Sequence, residues 1–111
     1  MRTSGIAVDH TLIAAQLKAG TNGAALQQCL ADRYAGERFV RVMPLSDPAT
    51  LEGGFFDVQA CNDTNRADIF VFANDEQAVL ICRLDNLGKG ASGAAVQSMN
   101  VHLGVDEGLG L

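Results

Sequence analysis

Asp85-Asn-Leu-Gly-Lys-Gly-Ala-Ser-Gly-Ala-Ala-Val-Gln97 is the stretch on which the fold turns. Gly88, Gly90 and Gly93 stand at the G-x-G-x-x-G spacing of a dinucleotide-binding turn. Such a turn opens a βαβ unit of at least ~30 residues, with an acidic residue about 20 positions on. Only 18 residues follow Gly93, and their pattern predicts no strand. Asp106 and Glu107 lie in the tail. The phosphate-loop spacing G-x-x-x-x-G-K-[ST] is not present. The glycines therefore read as a tight strand-to-helix turn, with Ala91, Ala94 and Ala95 permitting close helix packing. That does not explain Asn86 and Lys89. Both stand beside a helix N-terminus, a place suited to an anionic or amide-bearing ligand.

Working upstream, Ala67 to Ala73 and Ala78 to Leu84 are rich in β-branched and aromatic residues, and Asn74-Asp-Glu-Gln77 joins them as a hairpin connection. Ala78 to Cys82 is almost wholly apolar, which predicts a central strand buried on both faces. Gly5 to Leu12 alternates as a strand. Thr21 or Asn22 can cap a helix running to about Ala35, with Leu26, Cys29, Leu30 and Tyr34 as its apolar stripe and Gly36 as its stop. Arg38 to Leu45 reads as a strand that Pro44 either ends or marks as an edge, Ser46 to Gly54 as a loop, Phe55 to Ala60 as a short strand, and Cys61 to Arg66 as a polar turn. The last helix runs from about Gly90 to Leu103, with Ala95, Val96, Met99 and Leu103 as its stripe. The glycine-containing tail, Gly104 to Leu111, is predicted to fray. Four strands in succession predict an α+β domain: a mixed or antiparallel sheet with helices on one face.

A chain of 111 residues fits one domain. The formal net charge of −5 argues against nucleic acid or an anionic membrane as partner. No apolar run approaches the roughly 18 residues of a membrane span. Met1-Arg-Thr-Ser-Gly5 has no signal-peptide pattern, so a cytoplasmic location is expected. Cys29, Cys61 and Cys82 form no C-x-x-C pair and do not cluster with His10 or His102. Neither a metal site nor a disulfide framework is expected. Cys29 and Cys82 read as small buried hydrophobes; Cys61, among polar residues, does so less clearly.

The turn, followed by Met99-Asn100, resembles the C-terminal end of the N-acetyl-γ-glutamyl-phosphate reductases. Tyr34-Ala-Gly-Glu-Arg-Phe-Val-Arg-Val-Met-Pro44 is similar to the segment entering the sheet of that family's second domain. Ala60-Cys-Asn-Asp-Thr-Asn-Arg66 and Asp68-Ile-Phe-Val-Phe72 resemble its shorter, bacterial subtype. The family reduces an acyl phosphate to an aldehyde with NADPH in arginine biosynthesis, using a cysteine thiolate, a histidine and a dinucleotide fold. None of the three cysteines has the family's Gly-Cys-Tyr-Pro setting, and neither histidine matches. The resemblance thus implies that residues 1–111 form a single substrate and dimerisation domain with a returning C-terminal helix. The N-terminal dinucleotide-binding domain would be absent, the chain alone inactive, and catalytic residues none. NADP would be shared with the missing domain. The partners implied are N-acetyl-γ-glutamyl phosphate, phosphate and a second copy in a homo-oligomer.

Carried over by position, the resemblance implies that Asn86 contacts the nicotinamide carboxamide, which an amide can both donate to and accept from. Gly90 would permit close approach of the cofactor, and Lys89 would hold a phosphate. Asn65 and Arg66 are substrate-side candidates, since an arginine grips a carboxylate or phosphate bidentately. A solvated lysine and a surface turn remain the plainer readings of Lys89 and of Asn65-Arg66. Without a dinucleotide domain to cover it, the Ala91-Ala95-Met99-Leu103 side of the last helix is expected to be an exposed apolar patch. A different reading of the whole is a stand-alone, non-catalytic oligomerisation or ligand-binding module.

Overall fold

The hairpin lies at the centre of a four-stranded mixed sheet. In this computed structural model, which describes residues 4–111, the elements are β1 (Gly5–Ile13), α1 (Gly23–Arg33), β2 (Val40–Val42), β3 (Ala67–Ala73), β4 (Gln77–Asp85) and α2 (Gly93–Leu103). Met1-Arg2-Thr3, read above for a targeting signal, lies outside the described residues. The strand order is β1-β4-β3-β2. β1 and β3 flank β4 antiparallel, and β2 runs parallel to β3. The fold is therefore α+β.

Opposed residues share a face. Register places Arg41, Asp68, Arg83 and Ala7 in one row across the sheet. The neighbouring row, on the other face, is Val40, Ala67, Leu84 and Ile6. α1 covers the second face over β2 and β3, with Gly23 seated on Ala73. Its N-terminus is capped by Asn22, whose Oδ1 accepts from Ala25 N at 2.9 Å. Gly23, Leu26, Gln27, Leu30, Ala31 and Tyr34 form its inner side. Cys29 is exposed, contrary to expectation. The inner line passes through Leu26 and Leu30 and leaves Cys29 on the flank.

Other expectations fail for identifiable reasons. Phe55 to Ala60 is not a strand. Glu52 and Phe55 bridge a tight turn, and the segment lies over the Arg83 face through side chains. Phe56 packs edge-on to Phe70 at 5.0 Å, and Arg83 Nη1 donates to Asp57 O at 2.7 Å. β2 is shorter than Arg38–Leu45, although single backbone bonds from Ala67 N to Phe39 O and from Ser46 N to Val71 O extend the pairing beyond it. β4 is central, yet Val79 to Cys82 are half-buried, because α1 stops at β3 and β1 is largely exposed. The outer edge of β1 faces no strand among the described residues.

α2 is turned the other way from its hydrophobic pattern. Gly93, Val96, Gln97 and Asn100 face inward, while Ala91, Ala95, Met99 and Leu103 are exposed, as the missing-partner argument expects. The tail does not fray. Gly104 caps α2 in the left-handed conformation (φ 70°), Asn100 Nδ2 donates to Glu107 O and Leu109 O, and Arg38 pairs with Asp106 at 2.8 Å.

Candidate functional site

Two constellations of polar side chains flank the ends of β3 and β4. The first is the turn between β4 and α2. β4 ends in the buried Asp85. The Ser4 hydroxyl and the N–H groups of Leu87, Asp63 and Gly88 hold the Asp85 carboxyl below the ordinary carboxylate range. The chain then passes through one π-helical turn, Gly88–Ser92, a distortion that recurs at functional sites. Two of the motif glycines are required by packing inside the chain. A Cβ on Gly88 would stand 2.7 Å from Thr64 O, and one on Gly93 would collide with Asn65 Oδ1. Gly90 is exposed, with more room.

Asn65 is the buried member of this group, 8% exposed. Its Nδ2 donates to Gln97 Oε1 at 2.9 Å, and Lys89 Nζ donates to the same oxygen at 2.6 Å. Lys89 also lies over the Phe39 ring. Among the described residues, Asn65 Oδ1 is buried without a hydrogen-bond partner. Asn65 also lines a cavity of about 300 Å³ with Thr64, Leu87, Gly88, Ser92 and Val96. Gln97 thus joins two residues singled out in the sequence, Asn65 and Lys89. Asn86 is exposed beside Gly90.

Arg66, next to Asn65 in sequence, belongs to the second constellation. Its Nε donates to Asp68 Oδ1 at 2.9 Å and its Nη2 to Ala60 O. Arg41 grips the same carboxylate with both Nε and Nη2 at 2.8 Å. Arg83 Nη2 adds a bond at 2.9 Å, and its guanidinium lies over the Phe56 and Phe70 rings. The Cys61 thiol donates to Asp68 Oδ2 at 3.3 Å. Burial alone would push the Asp68 carboxyl up; the bonds from Arg41, Arg83, Arg66 and Cys61 outweigh it and hold the group far below the carboxylate range. Burial, then the bond to Asp68, pushes the Cys61 thiol up, and burial does the same to Cys82. Sequence reasoning missed Arg41, Asp68, Arg83 and Gln97. A usable signal was there: Asp68 and Arg83 interrupt two apolar strands, and a hairpin brings such positions opposite each other.

The model of the semialdehyde dehydrogenase dimerisation domain matches residues 3–86. The chain belongs to that family. The matched part of this semialdehyde dehydrogenase dimerisation domain covers the sheet and α1 and stops before α2. Among curated relatives, N-acetyl-gamma-glutamyl-phosphate reductase 2 of Nostoc sp. is 53% identical over 93 residues, 81% of this chain and 29% of the relative. The N-acetyl-gamma-glutamyl-phosphate reductase of Burkholderia ambifaria is 50% identical over 91 residues, 80% and 28% respectively. That of Brucella ovis is 38% identical over 102 residues, 90% and 32%. The chain spans under a third of the length of these relatives. No helix among the described residues is long and apolar enough to cross a membrane.

Proposed function

We propose that this dimerisation domain is part of an N-acetyl-γ-glutamyl-phosphate reductase of arginine biosynthesis, and that its β4–α2 turn closes one side of the nicotinamide pocket for NADP. The observation that carries the reading is the identity of 53% over four-fifths of the chain to a reductase of that name. The nicotinamide would supply the hydride that reduces the bound acyl group. A carboxamide fits what the turn offers. Asn65 Oδ1 is a buried acceptor with no donor among the described residues, and a carboxamide N–H bond there would offset its desolvation cost. Asn86 and Gly90 form the exposed lip of the turn, and Lys89 is held against Gln97 with N–H groups to spare.

The nucleophile is assigned to a part of the enzyme outside these residues. Cys61 is bonded to Asp68 and buried, and both Cys61 and Cys82 have raised pKa values, the opposite of an activated thiol. The domain would assemble as a homo-oligomer through its sheet.

The test is a chimera in which this chain replaces the matching 93-residue stretch of the Nostoc reductase. NADP-dependent oxidation of N-acetylglutamate semialdehyde in phosphate is expected from the chimera and not from the 111-residue chain alone. A folded chimera without turnover would sink the reductase reading. Turnover by the chain alone would overturn the assignment of the nucleophile.

A further inference from the structure

The second constellation has more positive charge than it needs. Asp68 is the one carboxylate within 4.0 Å of Arg41, Arg66 or Arg83 among the described residues. Three guanidinium groups against one carboxylate leave two positive charges in excess, in a chain of net charge −5. Arg83 is spent inside the fold: its side chain is 7% exposed and lies between Asp68, Asp57 O and two aromatic rings. Arg41 and Arg66 differ. Their side chains are 50% and 27% exposed, and neither Nη1 has a hydrogen-bond partner among the described residues. Both Nε groups converge on one oxygen, Asp68 Oδ1. Two guanidinium groups are therefore held side by side, with their remaining N–H groups left to solvent.

We infer that Arg41 and Arg66 form a clamp for a small oxyanion, a phosphate or a carboxylate, and that Asp68 is the residue that positions them. Like charges held this close repel, and one carboxylate offsets only part of that repulsion. A bound oxyanion offsets the rest and accepts charge-assisted bonds from the Nη1 groups that Asp68 leaves unused. The clamp is pre-organised, because Arg41 stands opposite Asp68 in the β2–β3 pair and Arg66 just precedes β3. The clamp goes beyond the reductase reading and stands without it, since it needs no cofactor and no turnover.

The experiment titrates the 111-residue chain with inorganic phosphate in one arm and glutarate in another, following the arginine Nε–H signals by NMR. Saturable binding in the millimolar range or tighter is expected, with shifts confined to Arg41 and Arg66. The arm that saturates first assigns the oxyanion class. Arg41→Gln and Arg66→Gln should each weaken binding about tenfold or more, with melting curves confirming that the variants fold. Arg41→Lys, which keeps the charge and loses the fork, should fall close to Arg41→Gln. If the unaltered chain saturates with neither anion, the clamp is overturned without recourse to any variant. It is equally overturned if binding persists unchanged in folded Arg41→Gln and Arg66→Gln. A failed chimera would leave this result untouched.

Discussion

Asp68 and Asn65 are three residues apart and have opposite fates. Asp68 is wholly buried and accepts bonds from three arginines and a thiol. Asn65 is nearly as buried, and its oxygen has no partner among the described residues. The first region satisfies its buried carboxylate with Arg41 of β2, Arg83 of β4, and Arg66 and Cys61 of the loop before β3. The second, between the 61–66 loop and α2, combines an orphan acceptor with a helix whose apolar side faces solvent. The contrast separates a region with a buried acceptor fully bonded and donors left over from a region with a buried acceptor left over.

The largest break in this comparison should come from Asp68→Asn. An amide cannot replace a carboxylate that accepts bonds from three arginines, and stranding buried Arg83 should cost about 3–5 kcal/mol. The folded pKa of Asp68 lies below its ordinary value of 3.8. Its ionised form therefore stabilises the fold above that value, and the contribution is lost as pH falls below it. Urea unfolding of both proteins should show a wide gap at neutral pH that narrows in acid. A gap unchanged by pH would mean that the carboxylate's charge is not what matters.

A smaller loss, about 1–3 kcal/mol, is expected from Gly93→Ala, because the added Cβ meets Asn65 Oδ1 and the Gly88 backbone. Loss of the Asn65–Gln97 bond, read from their side-chain amide signals, would accompany it. Gly90→Ala, where the nearest atom stands 3.1 Å away, should be milder. Equal effects would show that the motif's glycines are not divided as described.

Smallest of all, Met99→Ser and Leu103→Ser should change stability by no more than ~0.5 kcal/mol. They should, however, lower binding of a hydrophobic dye to the isolated chain. A loss of several kcal/mol would mean that these side chains are packed.

The hairpin, β1 and α1 were legible because residue types, turn residues and caps agree within each segment. The outward side of α2, with Met99 and Leu103, was expected only through the family resemblance; the hydrophobic pattern alone would turn that side inward, and the Asn100 bonds to the tail accompany its facing out. Phe55 to Ala60 misled because Phe56, which docks through its ring, looks in sequence like a residue that pairs in a ladder. The turn was recognisable as a place of interest, and Lys89 and Asn65 do meet there. Gln97, which joins them, was hidden because one glutamine on a helix carries no pattern. Arg41 was hidden because its partner is 27 positions away.

β1 carries a consequence for anyone handling the chain alone. Its nine residues, GIAVDHTLI, include no proline, lysine or arginine, and Val8 and Ile13 are well exposed. Proteins commonly guard such a strand with those residues or with a bulge. Unguarded, it can template further copies, so concentrated samples should be watched for fibres. A lysine at Val8 would be the simplest guard.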